Sequence, residues 1–133
     1  MSLSAFTRPS AITRPSSVCI IDEDEAVRDA LSALLQAYGY SVLAMTDGSA
    51  LDSPIARHEV GCIVAEAGLL RQSPEQLQDG PNGGRPIPVI LMTRSISKRT
   101  PVERVRPGTI LLHKPFSPTQ LLNAVGAAMD GIV

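Results

Sequence analysis

Side chains with complementary chemistry stand at the ends of four apolar runs. Asp22 and Glu23 follow Val18-Cys19-Ile20-Ile21, Glu66 follows Cys62-Ile63-Val64-Ala65, Thr93 follows Val89-Ile90-Leu91-Met92, and Lys114 follows Thr109 to His113. Carboxylates supply hard oxygen ligands for Mg²⁺, a lysine supplies a compact positive charge, and a threonine hydroxyl donates as well as accepts. If the runs are parallel strands of one sheet, all of these groups gather at its carboxyl edge, where open α/β sheets hold their ligands. The three carboxylates carry three negative charges, which Lys114 and one divalent cation balance, so the set is suited to holding a phosphoryl group. A single acid at a strand end is more often a solvated loop residue. The reading rests on the set.

The segments between the runs have to position these groups. Val27, Leu31, Leu34, Leu35 and Tyr38 recur at helical spacing, and Gly39 stands where such a helix should stop. Ser41 to Met45 reads as a further strand, and Ser49 to Arg57 as a short helix damaged by Pro54. Ser73-Pro74-Glu75 resembles a cap and first turn leading into a brief helix around Gln76 to Gln78, and the glycines and prolines from Gly80 to Pro88 mark a loop. Pro101 to Arg106 leaves room for one or two helical turns. At the end, Ser117-Pro118-Thr119-Gln120 combines an N-cap, a proline at the first helical position and a capping-box glutamine, after which Leu121, Leu122, Val125 and Met129 share one face. Strand and helix therefore alternate five times with continuous apolar strands, which predicts an α/β fold: a single doubly wound parallel sheet covered by helices on both faces.

The global numbers agree. A chain of 133 residues suits one domain, and with 44% hydrophobic but only 3% aromatic residues its core must be built from Leu, Ile, Val and Ala. A net charge of −1 points to neither nucleic acid nor membrane, and no run approaches the roughly 20 apolar residues of a transmembrane helix. Cys19 and Cys62 lie inside apolar runs without metal-ligand spacing, which predicts buried free thiols in a reducing, cytoplasmic setting. Residues 1–17, with Thr-Arg-Pro-Ser at Thr7 to Ser10 and again at Thr13 to Ser16, read as a disordered tail, and residues 18–130 as the folded domain.

The motifs Ile20-Ile21-Asp22-Glu23-Asp24-Glu25-Ala26-Val27-Arg28, Gly61-Cys62-Ile63-Val64-Ala65-Glu66, Val89 to Thr93 and His113-Lys114-Pro115-Phe116, in this order and spacing, resemble the receiver domain of bacterial two-component response regulators. The resemblance implies a five-stranded parallel sheet in the flavodoxin-like order 2-1-3-4-5. It implies that Asp22 and Glu23, with Glu66, bind Mg²⁺ weakly, that Thr93 and Lys114 contact a phosphoryl group, and that the Lys114–Pro115 bond is cis. It implies protein partners (a sensor kinase, an effector domain or another regulator) on the face formed by the fourth helix, fifth strand and fifth helix, with homodimerisation left open.

Departures from the family pattern refine the expectation. Glu66 occupies the phosphoacceptor position, where the family has an aspartate one methylene shorter, and in-line transfer depends on closely placed reacting atoms. Arg94 follows Thr93 where the family prefers a small residue, and its guanidinium is a candidate pocket cation for Glu66. Leu111 stands at the aromatic switch position. These residues predict a pseudo-receiver that kept the fold while losing or altering the aspartyl-phosphate switch. A constitutive interaction scaffold without metal or phosphate chemistry is the alternative. A haloacid-dehalogenase-like phosphatase, suggested by Asp22-Glu23-Asp24, lacks a second acid pair after Lys114, where Asp130 stands alone. Arg94, Lys98, Arg99, Arg104, Arg106 and Lys114 form a basic stretch, but without interleaved aromatics or a recognition helix it does not support nucleic-acid binding.

Overall fold

The computed structural model describes residues 17–52, 57–69, 87–93 and 109–130. They contain the strands β1 (Ser17–Ile21), β2 (Ser41–Met45), β3 (Val60–Glu66), β4 (Val89–Thr93) and β5 (Thr109–His113), and the helices α1 (Glu25–Ala37) and α2 (Pro118–Met129). All strand pairs are parallel and the sheet order is β2-β1-β3-β4-β5, the order implied by the resemblance.

Three strands keep the bounds read from the sequence, and two start earlier. β1 begins at Ser17, whose N–H donates to Glu59 O at 3.0 Å, so the described fold starts one residue before the expected boundary. β3 begins at Val60 because Ser17 pairs with Val60 while Val18 pairs with Cys62, which leaves Gly61 as an extra residue in an irregular register. Glycine is the residue a strand tolerates best at such a bulge.

Alternation along the strands divides the core in two. Val18, Ile20, Cys62, Val64, Ile90, Met92 and Leu112 pack beneath Leu31 and Leu35 of α1 and Leu121, Ala124, Val125 and Ala128 of α2. On the other face Cys19, Ile21, Ile63 and Ala65 pack with Leu51, Val60 and Ile87. Burying a side chain such as Leu35 or Leu121 is worth about 1.5–3 kcal/mol, so each helix is held mainly by its apolar stripe. Both described α-helices cover the same face. The opposite face is capped in the described residues by a 3-10 turn, Gly48–Asp52, through Leu51, where the sequence suggested a helix from Ser49 to Arg57. The expected helices around residues 76–78 and 101–106, the expected tail at residues 1–16, and Arg94 lie outside the described residues.

The helix ends follow their sequence signals. Gly39 adopts φ 92°, and the Gly39 N–H to Gln36 O and Tyr40 N–H to Leu35 O bonds close α1 as a Schellman motif. Ser117 and Gln120 form the full capping box at the start of α2. Cys19 and Cys62 are buried free thiols on opposite faces of neighbouring strands, and burial pushes each up to about 12.

Candidate functional site

The alternation that builds the core also sorts the groups at the carboxyl edge. Asp22, Glu66 and Lys114 each lie two residues beyond a core residue of the helix-covered face, namely Ile20, Val64 and Leu112. The period-two pattern therefore sends all three to the same side. Thr93 follows Met92 and pairs in register with His113, so its position belongs to the other side.

Asp22 is fully buried. Its N–H donates to Met45 O at 3.1 Å, and its Oδ1 accepts from the Asp24 N–H at 2.9 Å. Asp24 is the N-cap of α1, accepting from the N–H groups of Ala26 and Val27 at 2.9 and 3.3 Å. In the sequence Asp24 is one of four consecutive acids, Asp22 to Glu25. An acid just ahead of a helical apolar period is the signal that identifies it as a cap. Arg28, one turn into α1, donates from Nη1 to Asp22 O at 2.7 Å.

Glu66 ends β3, and a turn follows in which Leu69 N–H donates to Glu66 O at 3.0 Å and Gly68 takes φ 97°. Lys114 follows β5. Its N–H donates to Thr93 O at 2.7 Å, and the Lys114–Pro115 bond is cis, as the family pattern implied. Lys114 Nζ lies 3.7 Å from Asp22 Oδ2 and 3.9 Å from Glu66 Oε1. An open hollow of about 550 Å³ lined by Val27, Lys114, Pro115 and Phe116 adjoins this lysine.

The structure thus brings Asp22, Glu66 and Lys114 together. Glu23 is exposed, and among the described residues no set of three or more His, Cys, Asp or Glu side chains gathers in a metal-holding arrangement, so the expected Asp22–Glu23–Glu66 triad is not assembled as such. Thr93 is half-buried at the end of β4, and Leu111 is half-buried in the middle of β5, paired with Leu91.

Electrostatics explains why two carboxyls can share the site. Loss of water raises the Glu66 carboxyl above its ordinary range, the Asp22 charge raises it further, Lys114 works in the opposite sense, and the Glu23 charge adds to the rise. The folded chain therefore keeps a proton on Glu66 at pH values where the unfolded chain has released it. That contribution is fully present below the ordinary glutamate range and is lost as pH rises through the raised value. Glu66→Gln, which is always neutral, is expected to gain stability relative to wild type as pH rises from mildly acidic to neutral. Thermal unfolding in metal-free buffer at several pH values checks this, and a constant difference between the two proteins would refute it.

No family model matches the chain. It is 29% identical over 118 residues to the response regulator protein TodT of Pseudomonas putida, a match spanning 87% of this chain and 52% of TodT. It is 32% identical over 114 residues to the transcriptional regulatory protein FixJ of Azorhizobium caulinodans, spanning 84% of this chain and 54% of FixJ. The chain spans about half the length of these curated relatives. In fold it is similar to a response regulator receiver protein from Sinorhizobium medicae, with a TM-score of 0.69, 17% identity and coverage of 90% of this chain and 97% of that one. It is also similar to the chemotaxis protein CheY4 of Vibrio cholerae, with a TM-score of 0.64, 20% identity and coverage of 85% and 98%. In sheet order and in the sequences it matches, the chain resembles response regulators and their receiver domains. At the end of β3 the chain carries Glu66, whose Oε1 lies 3.9 Å from Lys114 Nζ.

Proposed function

We propose that this chain is the receiver domain of a two-component regulatory protein in which the phosphoacceptor position is filled by Glu66 and the aspartyl-phosphate step is lost, so that the domain signals through a fixed arrangement of its carboxyl edge. The observation that carries this reading is the position of Lys114 Nζ between Asp22 Oδ2 and Glu66 Oε1. The lysine available to neutralise an incoming phosphoryl group is already engaged by two carboxyls, and the longer side chain of Glu66 moves the reacting oxygen from where an aspartate would hold it. A glutamate also supplies part of the charge of a phosphoaspartate, which favours a permanently biased state over an idle one.

The residues fit a hard cation in part. Asp22 Oδ2 is buried without a hydrogen-bond partner, and a carboxylate oxygen can only accept. Asp22 and Glu66 would hold Mg²⁺, with Glu23 as the proposed third carboxylate and Thr93 as the proposed hydroxyl contact for a phosphoryl oxygen. The ion would supply charge neutralisation that Lys114 alone cannot, since one cation faces two carboxyls. Arg94, the residue after Thr93 in the sequence, is proposed as a second cation for Glu66. A sensor kinase, an effector domain or another regulator is the proposed partner, met by the face that includes β5 and α2. Among the described residues no helix is long and apolar enough to cross a membrane, and the proposed setting is the cytoplasm.

Incubation of the wild-type chain with Mg²⁺ and acetyl phosphate, followed by intact-mass measurement, is expected to return unmodified protein. A stable phosphoryl adduct mapping to Glu66 would overturn the reading.

A further inference from the structure

We propose that Arg28 is a positioning residue for the Asp22 carboxylate. Helical side chains lean toward the amino end of their helix, so a residue one turn into α1 points back at the strand that precedes it. Arg28 does this: its Nη1 donates to the main-chain oxygen of Asp22 at 2.7 Å, and the contact is partly buried. The Arg28 N–H in turn donates to Asp24 O at 3.0 Å, tying the same residue to the first turn that Asp24 caps.

The consequence is seen at Asp22. Its N–H is bonded to Met45 O, its main-chain oxygen to Arg28, and its Oδ1 to the Asp24 N–H. With these groups committed, Oδ2 is the oxygen left to face Lys114 at 3.7 Å. The guanidinium fixes the peptide that leaves β1, that peptide places the Asp24 N–H, and the Asp24 N–H sets the rotation of the carboxylate. Arg28 therefore acts on the site through Asp22 and touches neither Lys114 nor Glu66 by any bond seen here. Its planar, multi-donor head holds a carbonyl in one direction better than the ammonium of a lysine does. Groups that orient ligating carboxylates in this way typically affect metal affinity about 10–100-fold.

The effect on metal rests on the Mg²⁺ site proposed above, whereas the effect on Asp22 geometry does not. Wild type, Arg28→Lys and Arg28→Ala, each as the full chain, are compared by amide hydrogen exchange in metal-free buffer and by Mg²⁺ titration followed through amide shifts. In Arg28→Ala, the Asp24 amide is expected to lose protection, with Val64 and Ile90 in the sheet interior unchanged, and Mg²⁺ affinity to fall about tenfold or more, with partial recovery of both in Arg28→Lys. Unchanged Asp24 exchange, or a loss at Val64 and Ile90 matching that at Asp24, would overturn the proposal, the latter by showing a general structural role. If wild type shows no Mg²⁺ response, the metal reading of the site falls and the Asp24 exchange comparison alone decides the role of Arg28.

Discussion

Glu66→Asp is expected to acquire phosphoryl transfer from acetyl phosphate in the presence of Mg²⁺, visible as a new species in intact-mass measurement. Removing one methylene draws the carboxyl back toward the end of β3 by about 1.5 Å. A misplacement of that size costs on the order of 100-fold or more in a reaction that depends on alignment, so its removal should matter by a similar factor. The change also lengthens the 3.9 Å approach of Lys114 to residue 66, freeing the lysine for an incoming phosphoryl oxygen. If the Arg94 guanidinium also blocks the approach, Glu66→Asp alone will fail and Glu66→Asp with Arg94→Ala will succeed, the non-additivity expected of residues sharing a site. Should neither protein gain mass while both remain folded, phosphoryl chemistry has been lost beyond one side chain, and the domain is a constitutive interaction module.

Lys114→Met is expected to be the most destabilising change at the carboxyl edge. The Asp22 side chain is 1% exposed and that of Lys114 22% exposed, so the lysine is the partly solvated partner of a buried carboxylate. Removing it leaves Asp22 Oδ2 with neither hydrogen bond nor cation, at a cost of about 1–3 kcal/mol. Asp22→Asn removes the charge that creates the penalty, although it puts an amide in a carboxylate's place. The double variant should therefore lose less than the two single losses added together, with a coupling energy of about 1 kcal/mol or more. Urea unfolding of the four proteins of this cycle measures it. Additive losses would show that Lys114 contributes nothing to the folded state through Asp22.

The strands were legible because their apolar runs are short and end in residues of a different kind. β2, β4 and β5 keep the bounds that Ser41–Met45, Val89–Thr93 and Thr109–His113 suggest in the sequence. Asp22, Glu66 and Lys114 were legible as a set for the same reason: strand ends in a parallel sheet share an edge. Two consecutive acids could not be told apart by that argument. Leaving β1, Asp22 still follows the strand's alternation and is buried, whereas Glu23 falls in the turn ahead of the N-cap and is exposed. The irregular register at Gly61 has no short-range signature, because it depends on how β3 aligns with β1. The Arg28 contact with Asp22 O was hidden for a related reason: the residue was visible within the Asp22 to Arg28 motif, but its partner is a main-chain oxygen, which sequence pattern does not distinguish from any other.

The sheet order gives Lys114 a mechanical part to play. Among the described strands β5 lies at the edge and pairs with β4, yet its lysine meets carboxyls carried by β3 and β1. Neighbouring strands lie about 4.8 Å apart, so the reach from β5 to β3 spans roughly 10 Å and passes over the end of β4. Lys114 is in effect a cross-brace between the outermost strand and the middle of the sheet. Pulled from the far end of α2, β5 and α2 resist through the β4 ladder, the apolar stripe of α2 and this brace, and of these three the brace is the ionic one, which salt and the charge on Glu66 weaken or strengthen. The charge state of the carboxyl edge thereby bears on how firmly β5 and α2 are tethered to the middle of the sheet.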